Sequence, residues 1–545
     1  MDGPLFDGRE RDFERLRRTF RWRVPARFNI ADACCDRHRD RAREVAILHE
    51  DARGAHRAYT FGALRELSNR LANALAALGV GPGDRVAILL PQRPETAIAH
   101  LAVYKLGAVA LPLSILFGPE ALAYRLADSG ARIAIADEAR AARIEGLREA
   151  LPQLEHVLVC GPGETGSLWE RLRRGADRRP DHETAADDPA YLIYTSGTTG
   201  PPKGALCAHR ALIGNLPGFE LSHNFYGVHG GLFWTPADWA WTGGLMDALL
   251  PALCYGQPVL GYEGEGRFDP DRAFHLMARH GVRSAFIPPT AMKMLMQVPS
   301  PPRLALRTIM SAGEQVGAEI LRWSAERLGV PVNEMWGQTE FNYLVGNCSE
   351  ILPVRPGSMG RPYPGHEVDV VDEEGRPCPP GVEGEIAARR EGDPVMFLGY
   401  WNNEEATRAK FLGPWFLTGD VGRRDEDGYL WFVGRKDDVI TSAGYRIGPG
   451  EIEDCLIRHP AVAQAAVIGV PDPLRGEIVK AFIVLAPGHE PSEALTRDIQ
   501  ASVRERLAAY EYPREIEYIE ALPMTTTGKV RRTELRARER ARRGG

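Results

Sequence analysis

The stretch Tyr194-Thr195-Ser196-Gly197-Thr198-Thr199-Gly200-Pro201-Pro202-Lys203-Gly204 constrains this chain more than any other. It follows the apolar run Tyr191 to Tyr194, which reads as a buried strand, so the loop leaves the end of that strand. Glycines, hydroxyls and one lysine together offer backbone N–H groups, hydroxyl donors and a cation, the inventory a polyphosphate needs. The G-x-x-x-x-G-K-[ST] pattern is absent, because Lys203 is followed by Gly204 and preceded by two prolines, so a helix-opening phosphate loop is disfavoured.

Strands and helices alternate on both sides of this loop. Arg85–Leu90 reads as a strand, Pro94–Leu106 as a helix, Val109–Leu113 as a strand, Pro119–Ser129 as a helix, Ile133–Ala136 as a strand, Ala139–Leu151 as a helix and Val157–Cys160 as a strand. A second alternation runs from the helix opened by Asp269-Pro270 to the strand Val332–Met335. The expected class is α/β: a large N-terminal domain of two doubly wound αβ layers, with ligands beyond the carboxyl ends of the strands. From about Pro353 the texture changes to short apolar alternations split by turn signals, expected as a small β-barrel-like subdomain. After Gly434 short helices and strands predict a compact α+β lid, which sets the expected domains at 1–434 and 435–545. Near the N-terminus, Phe13, Leu16, Phe20 and Trp22 suggest an amphipathic helix packed on the body.

At 545 residues the chain is too long for one ordinary domain. A formal net charge of −6 with mixed signs, and no basic stripe with interleaved aromatics, argues against nucleic acid as a partner. Eight cysteines without C-x-x-C spacing read as reduced thiols, and no apolar run has the length of a membrane span. Charged residues stand where a signal peptide needs its apolar core, so a cytoplasmic protein is expected. Composition says nothing about the oligomeric state.

Further segments carry reactive residue types. Ser311-Ala312-Gly313-Glu314-Gln315 and Trp336-Gly337-Gln338-Thr339-Glu340 each follow an expected strand. Later come Leu417-Thr418-Gly419-Asp420, Gly434-Arg435-Lys436-Asp437-Asp438, Ser442-Ala443-Gly444-Tyr445-Arg446-Ile447 and Pro523-Met524-Thr525-Thr526-Thr527-Gly528-Lys529-Val530. Each alone has an ordinary reading: a helix cap at Ser311, a core tryptophan, a solvated Glu340, a turn at Asp420. Lysine is rare, seven against sixty arginines, yet Lys203, Lys436 and Lys529 all fall inside these segments.

Together, and in this order, the segments resemble the motifs of the adenylate-forming superfamily, which includes acyl-CoA synthetases, peptide-synthetase adenylation domains and luciferases. The resemblance runs from about residue 50 to 535. It implies ATP, Mg²⁺ and coenzyme A as cofactors and a small carboxylic acid as substrate. By resemblance, Thr195, Ser196, Gly197, Thr198, Thr199, Gly200 and Lys203 hold the phosphates, with Thr198 among the catalytic groups. Gly313, Glu314 and Gln315 lie along the adenine and the acyl pocket, Trp336 stacks on adenine, and Gly337 and Gln338 continue that wall. Thr339 touches the α-phosphate and Glu340 holds the metal. Asp420 takes the ribose hydroxyls with Arg435 assisting, and Asp437 is the hinge. Gly444 and Arg446 belong to the loop that admits pantetheine, and Lys529 drives adenylation. The stretch containing Trp239, Trp241, Gly243, Gly244 and Met246 forms the pocket wall.

Within that superfamily the chain is similar to medium-chain acyl-CoA synthetases, with aryl and branched acids left open as substrates. Acetate-specific enzymes carry a bulky tryptophan after the adenine-stacking aromatic, where this chain has Gly337, so acetate is disfavoured. Two alternatives stand beside an acyl-CoA synthetase: an adenylation enzyme that loads a carrier protein, and a catalytically silent nucleotide-binding protein.

Overall fold

A computed structural model describes residues 3–195, 201–264, 268–442, 445–472, 475–507, 511–525 and 529–543. The chain divides into two compact units, one of residues 1–356, 360–367 and 389–410, the other of residues 357–359, 368–388 and 411–545.

The first unit contains the two layers. One sheet runs in the order Gly399–Tyr400, Lys203–Ala208, Pro189–Thr195, Val109–Pro112, Arg85–Leu89, Ile133–Asp137, His156–Cys160. Its five strands from Pro189–Thr195 onward are parallel, and the two at the other edge are antiparallel. The central strands are buried along nearly their whole length, the pattern of a parallel sheet covered on both faces. The second sheet runs Phe341–Gly346, Val332–Gln338, Thr308–Ala312, Ser284–Phe286, Phe233–Trp234, Val259–Glu263, Val45–Asp51, His56–Thr60, parallel except at its two ends. Around it Leu260, Phe274, Met277, Ile287, Leu295, Ile309 and Ile320 form one apolar core. The two-residue strand Phe233–Trp234, too short to leave a periodic signal, joins the halves of this sheet.

Two buried charges in this unit are fully paired. The Lys105 ammonium donates to Asp36 Oδ1 at 2.8 Å, Ser68 Oγ at 2.8 Å and Asn69 Oδ1 at 2.7 Å, which uses all three of its protons. Fully buried Glu50 faces Arg272 at 2.7 Å and His280 at 2.6 Å, tying the strand Val45–Asp51 to the helix Pro270–His280. The expected helix Ala139–Leu151 is instead Glu138–Glu145, closed at Gly146 and followed by a 3₁₀ turn, Arg148–Ala150. The N-terminal helix is Phe13–Thr19; Phe20 is already extended, and Trp22 beyond it donates its indole N–H to the Gly365 carbonyl at 2.9 Å.

Glu220 lies in the helix Ala211–Ser222, buried on every side. Its carboxylate accepts from Leu5 N at 2.5 Å, Phe6 N at 3.2 Å and the Tyr255 hydroxyl at 2.5 Å, and so pins the start of the chain. Burial outweighs these donors and pushes its pKa from 4.5 up to about 7. The stability this acid contributes is therefore complete below pH 4.5, declines as pH rises to 7 while the unfolded chain alone ionises, and is flat above. We expect wild type to lose about 3 kcal/mol more than Glu220→Gln across that window. Urea unfolding of both proteins at pH 4.5, 6 and 8 reads it, and parallel pH dependences would refute it.

The second unit has two sheets. Val368–Val371, Glu383–Arg389, Trp415–Arg424 and Leu430–Arg435 pair in that order. Among the described residues this ladder is open, so the barrel-like closure expected from the alternations is absent; the turns at Glu374-Gly375 and Asp427-Gly428 fold strands back without bringing the edges together. The second sheet pairs Ile440–Ser442, Gly476–Leu485 and Val462–Asp472 antiparallel, with Glu515–Tyr518 added in parallel. The helices Pro449–Ile457 and Glu493–Arg506 place Ile452, Leu456, Ile499 and Val503 against Val467, Ala481 and Ile483, giving the α+β core. No described helix is long and apolar enough to cross a membrane.

Candidate active site

In the first unit the glycine- and threonine-rich loop joins two antiparallel strands, and Thr195 pairs with Lys203 at its base. The strand–loop–strand arrangement explains why no helix-opening phosphate loop could be read. Thr195 Oγ1 lies 3.4 Å from the Lys203 carbonyl. Ser196, Gly197, Thr198, Thr199 and Gly200 lie outside the described residues.

The Lys203 ammonium sits 5.4 Å from the centre of the Tyr400 ring. The Tyr400 hydroxyl in turn donates to Glu340 Oε1 at 2.5 Å. Tyr400 is held by a two-residue strand that pairs Gly399 with Leu206 and Tyr400 with Ala205, and by its N–H, which donates to Thr407 Oγ1 at 2.8 Å. The Glu340 carbonyl accepts from Phe397 N at 2.8 Å. One side chain therefore bridges the loop's cation and the acid of the Trp336–Glu340 segment. Sequence reasoning missed Tyr400, because sixty residues separate it from Glu340 and Gly399-Tyr400-Trp401 carries no pattern of its own.

Glu340 is 8% exposed. Oε1 is taken by Tyr400; one carboxylate beside phosphate oxygens and water is a donor set that suits Mg²⁺. Among the described residues no group of three or more metal-ligating side chains occurs, so a cation here depends on substrate oxygens for most of its ligands.

Ser311 and Ala312 pair with Glu334 and Met335, so the segments Ser311–Gln315 and Trp336–Glu340 leave neighbouring parallel strands at the same end. Ser311 is a strand residue whose hydroxyl donates to the Ile287 carbonyl at 2.8 Å, and the helix-cap reading fails for that reason. Gly313 has φ +95°, a conformation that needs glycine. Glu314 accepts from Thr290 Oγ1 at 3.1 Å, and Gln315 follows half-buried. Trp336 is half-buried with its ring 5.5 Å from Phe341. A Cβ on Gly337 would lie 3.0 Å from Tyr343 N and 3.2 Å from Asn342 Cα, tight contacts that a side chain there could keep only if the next strand gave way by a few tenths of an ångström. Gln338 pairs with Phe341 across the turn that holds Thr339 and Glu340.

Trp239 is fully buried, and its indole N–H has no hydrogen-bond partner among the described residues. Trp241 is half-buried, edge-on to Phe117 at 5.5 Å. A Cβ on Gly243 would stand 2.6 Å from the Phe286 ring, and one on Gly244 would collide with the Asp238 carbonyl. Close packing thus accounts for both glycines.

In the second unit Asp420 and Arg435 face each other across paired strands, with Arg435 Nη1 2.7 Å from Asp420 Oδ1. Asp420 is 4% exposed, and its N–H donates to Thr418 Oγ1 at 3.0 Å. Asp420 lies inside the strand Trp415–Arg424 and not in the turn its sequence suggested, and Glu385, which the sequence did not single out, accepts from Gly419 N at 2.8 Å and from the Lys436 ammonium at 3.0 Å, bracing that strand. Asp437 is exposed within a turn in which Asp438 N and Val439 N both donate to the Arg435 carbonyl at 2.8 Å. Asp438 is bound by Arg536 at 2.6 Å, which fixes that turn to the C-terminal helix. Arg446 lies in the strand Tyr445–Ile447, and Gly444 lies outside the described residues. Lys529 is exposed; its N–H donates to Thr525 Oγ1 at 2.9 Å and its carbonyl accepts from Thr525 N at 2.7 Å, closing a short loop at the base of the C-terminal helix.

Comparison with known proteins identifies the family. The model of the AMP-binding enzyme family matches residues 34–401, and that of the AMP-binding enzyme C-terminal domain matches residues 451–529. An acetyl-coenzyme A synthetase of Bacillus subtilis (strain 168) is 36% identical over 529 residues, 94% of this chain and 91% of that protein. The mitochondrial acyl-coenzyme A synthetase ACSM3 of Mus musculus is 34% identical, over 97% of this chain and 93% of its own length. Among solved structures, the anthranilate CoA ligase AuaEII in complex with anthranoyl-AMP superimposes with a TM-score of 0.87 at 32% identity, covering 96% of this chain and 99% of that one. With a family model spanning most of its length and relatives aligned nearly end to end, this chain belongs to the AMP-binding enzymes, as an AMP-forming acyl-CoA synthetase of the adenylate-forming superfamily.

Proposed function

We propose that this ligase activates a medium-chain or similarly sized carboxylic acid, rather than acetate, through an acyl-adenylate. The observation that carries the reading is the bridge from Lys203 through Tyr400 to Glu340, which sets a cation and a carboxylate at one end of the phosphate loop. A carboxylate oxygen of the substrate attacks the α-phosphorus of ATP and pyrophosphate leaves. The CoA thiol then attacks the acyl carbon and AMP leaves. No protein nucleophile takes part; positioning and charge stabilisation supply the acceleration.

Lys203 and the loop around Thr198 take the departing phosphates, and Thr339 the α-phosphate. Asp420, oriented by Arg435, accepts from the ribose hydroxyls. Trp336 offers its face to adenine, and Gly313 leaves room for close approach of the backbone. Glu340 would hold Mg²⁺, which when bound supplies charge neutralisation on the phosphates. Lys529 bridges acid and ATP in the first step, and the loop at Gly444 and Arg446 admits pantetheine in the second. The two steps use the residues after 434 in turn, with Asp437 as the pivot.

Support for an acid larger than acetate comes from Gly337, which carries no side chain to close the pocket and where even a Cβ would stand in tight contact with the backbone of the next strand. Pyrophosphate release from purified protein, with acetate, hexanoate, octanoate and benzoate, each with and without CoA, tests the reading. We expect release with the larger acids and acyl-CoA only when CoA is added. Acetate as the best substrate, or release without any acyl-CoA formed, would overturn it.

A further inference from the structure

We propose that Asp247, held by Asn342, reads the tail of the substrate and selects carboxylic acids bearing a hydroxyl or amino substituent over plain hydrocarbon acids. The inference rests on the functional reading above, because it takes the acyl pocket to lie along Trp239–Met246 and the back of Gly337.

Asp247 occupies the π-helical turn Leu245–Leu249, whose other residues, Leu245, Met246, Ala248 and Leu249, are aliphatic and buried. Such turns widen a helix and recur at functional sites. Among the described residues the only hydrogen bond to its carboxyl comes from Asn342 Nδ2, and no Arg, Lys or His pairs with it. That contrasts with Glu50 and with Lys105, both of which have several partners. An acid left so short of partners is costly to bury in its ionised form.

Its position ties it to the site. Asn342 lies two residues beyond Glu340, and its Cα is the atom 3.2 Å from where a Cβ on Gly337 would stand. Asp247 is also within electrostatic reach of Tyr191, on the strand that leads into the phosphate loop. Beside it, fully buried Asn215 donates to the Met246 carbonyl while its own Oδ1 has no partner among the described residues. Beside Asp247, with its single bond from Asn342, a second buried polar group thus lacks a hydrogen-bonding counterpart among the described residues. Asp247 and Asn342 keep 3% and 7% of their surface, whereas Leu245, Ala248 and Leu249 keep none, so the acid and amide border open space and their neighbours do not.

Burial holds the Asp247 carboxyl well above the usual carboxylate range, which favours the neutral form, able to donate and to accept. A hydroxyl or amino group on the substrate meets both capacities. A hydrocarbon tail in the same place strands them, and sites built to hydrogen-bond a substrate group reject analogues that lack it.

The test compares kcat/KM, by pyrophosphate release, for benzoate against 2-aminobenzoate and 4-hydroxybenzoate, and for hexanoate against 6-hydroxyhexanoate. In wild type we expect the substituted acid of at least one pair to be favoured by about 100-fold. Asp247→Leu should bring that ratio to one or below while the plain acid keeps its activity. The isosteric Asp247→Asn still accepts from Asn342 but turns a donor-only group outward, so preference for the amino acid should fall while that for a hydroxyl acid survives; this holds the test together should the leucine variant not fold. An unchanged ratio in both variants, or a wild type that favours plain acids throughout, overturns the inference and leaves the ligase reading intact. No release with any acid would sink the ligase reading, and this inference with it.

Discussion

Lys529→Ala is expected to lose acyl-adenylate formation by about 10³-fold while retaining thioester formation from supplied acyl-adenylate and CoA. The two half-reactions ask for different help. The first brings a carboxylate anion against a polyphosphate, and a compact ammonium that can turn its three protons between acid and phosphate oxygens lowers that barrier directly. The second joins a thiol to an already activated anhydride, where no such repulsion exists. Lys529 is fixed by backbone bonds to Thr525, so truncating the exposed side chain leaves those hydrogen bonds in place. The adenylation half is read by pyrophosphate release, the thioester half by CoA consumption from synthetic adenylate. Lys529→Arg should rescue poorly, because the guanidinium is wider and planar. Equal loss of both halves would show that Lys529 acts in both steps.

The parts of this molecule that were legible in sequence are those set by local patterns. Apolar runs bounded by proline and glycine placed the strands Arg85–Leu89 and Ile133–Asp137 and the helices Pro94–Lys105 and Pro119–Ser129 within a residue or two, because burial on both faces leaves an unbroken signal. Where a local break competes with the periodicity, as at Gly146, the expected helix runs too long. Phe233–Trp234 was invisible because two residues carry no period. The segments Ser311–Gln315 and Trp336–Glu340 were placed at the same end of neighbouring strands by topology alone, and register bears this out. What joins functional residues across the chain left no trace. The bond from Tyr400 to Glu340 and the brace from Glu385 to Lys436 connect positions whose separation encodes nothing, and only the coordinates bring them together.

Tyr400 makes the second large effect divisible. Glu340→Gln is expected to lower adenylation by 10²- to 10³-fold, because an amide keeps the shape and the hydrogen bond from Tyr400 but removes the charge that attracts a divalent cation. Tyr400→Phe removes only the hydroxyl, leaving the ring beneath Lys203 and freeing Glu340 Oε1, so its effect should be smaller, about tenfold. The two variants should also differ in kind. With Glu340→Gln the Mg²⁺ concentration for half-maximal rate rises, since the protein's charge at the cation is gone. With Tyr400→Phe that concentration should hold or fall, because Glu340 then has both oxygens for the metal, and the loss should appear in kcat through a misoriented carboxylate. If Glu340 instead serves only to anchor Tyr400 and the strand Gly399–Tyr400, Glu340→Gln, which keeps that hydrogen bond, will lose no more activity than Tyr400→Phe, neither variant will shift the Mg²⁺ titration, and the double variant will be no worse than Tyr400→Phe alone.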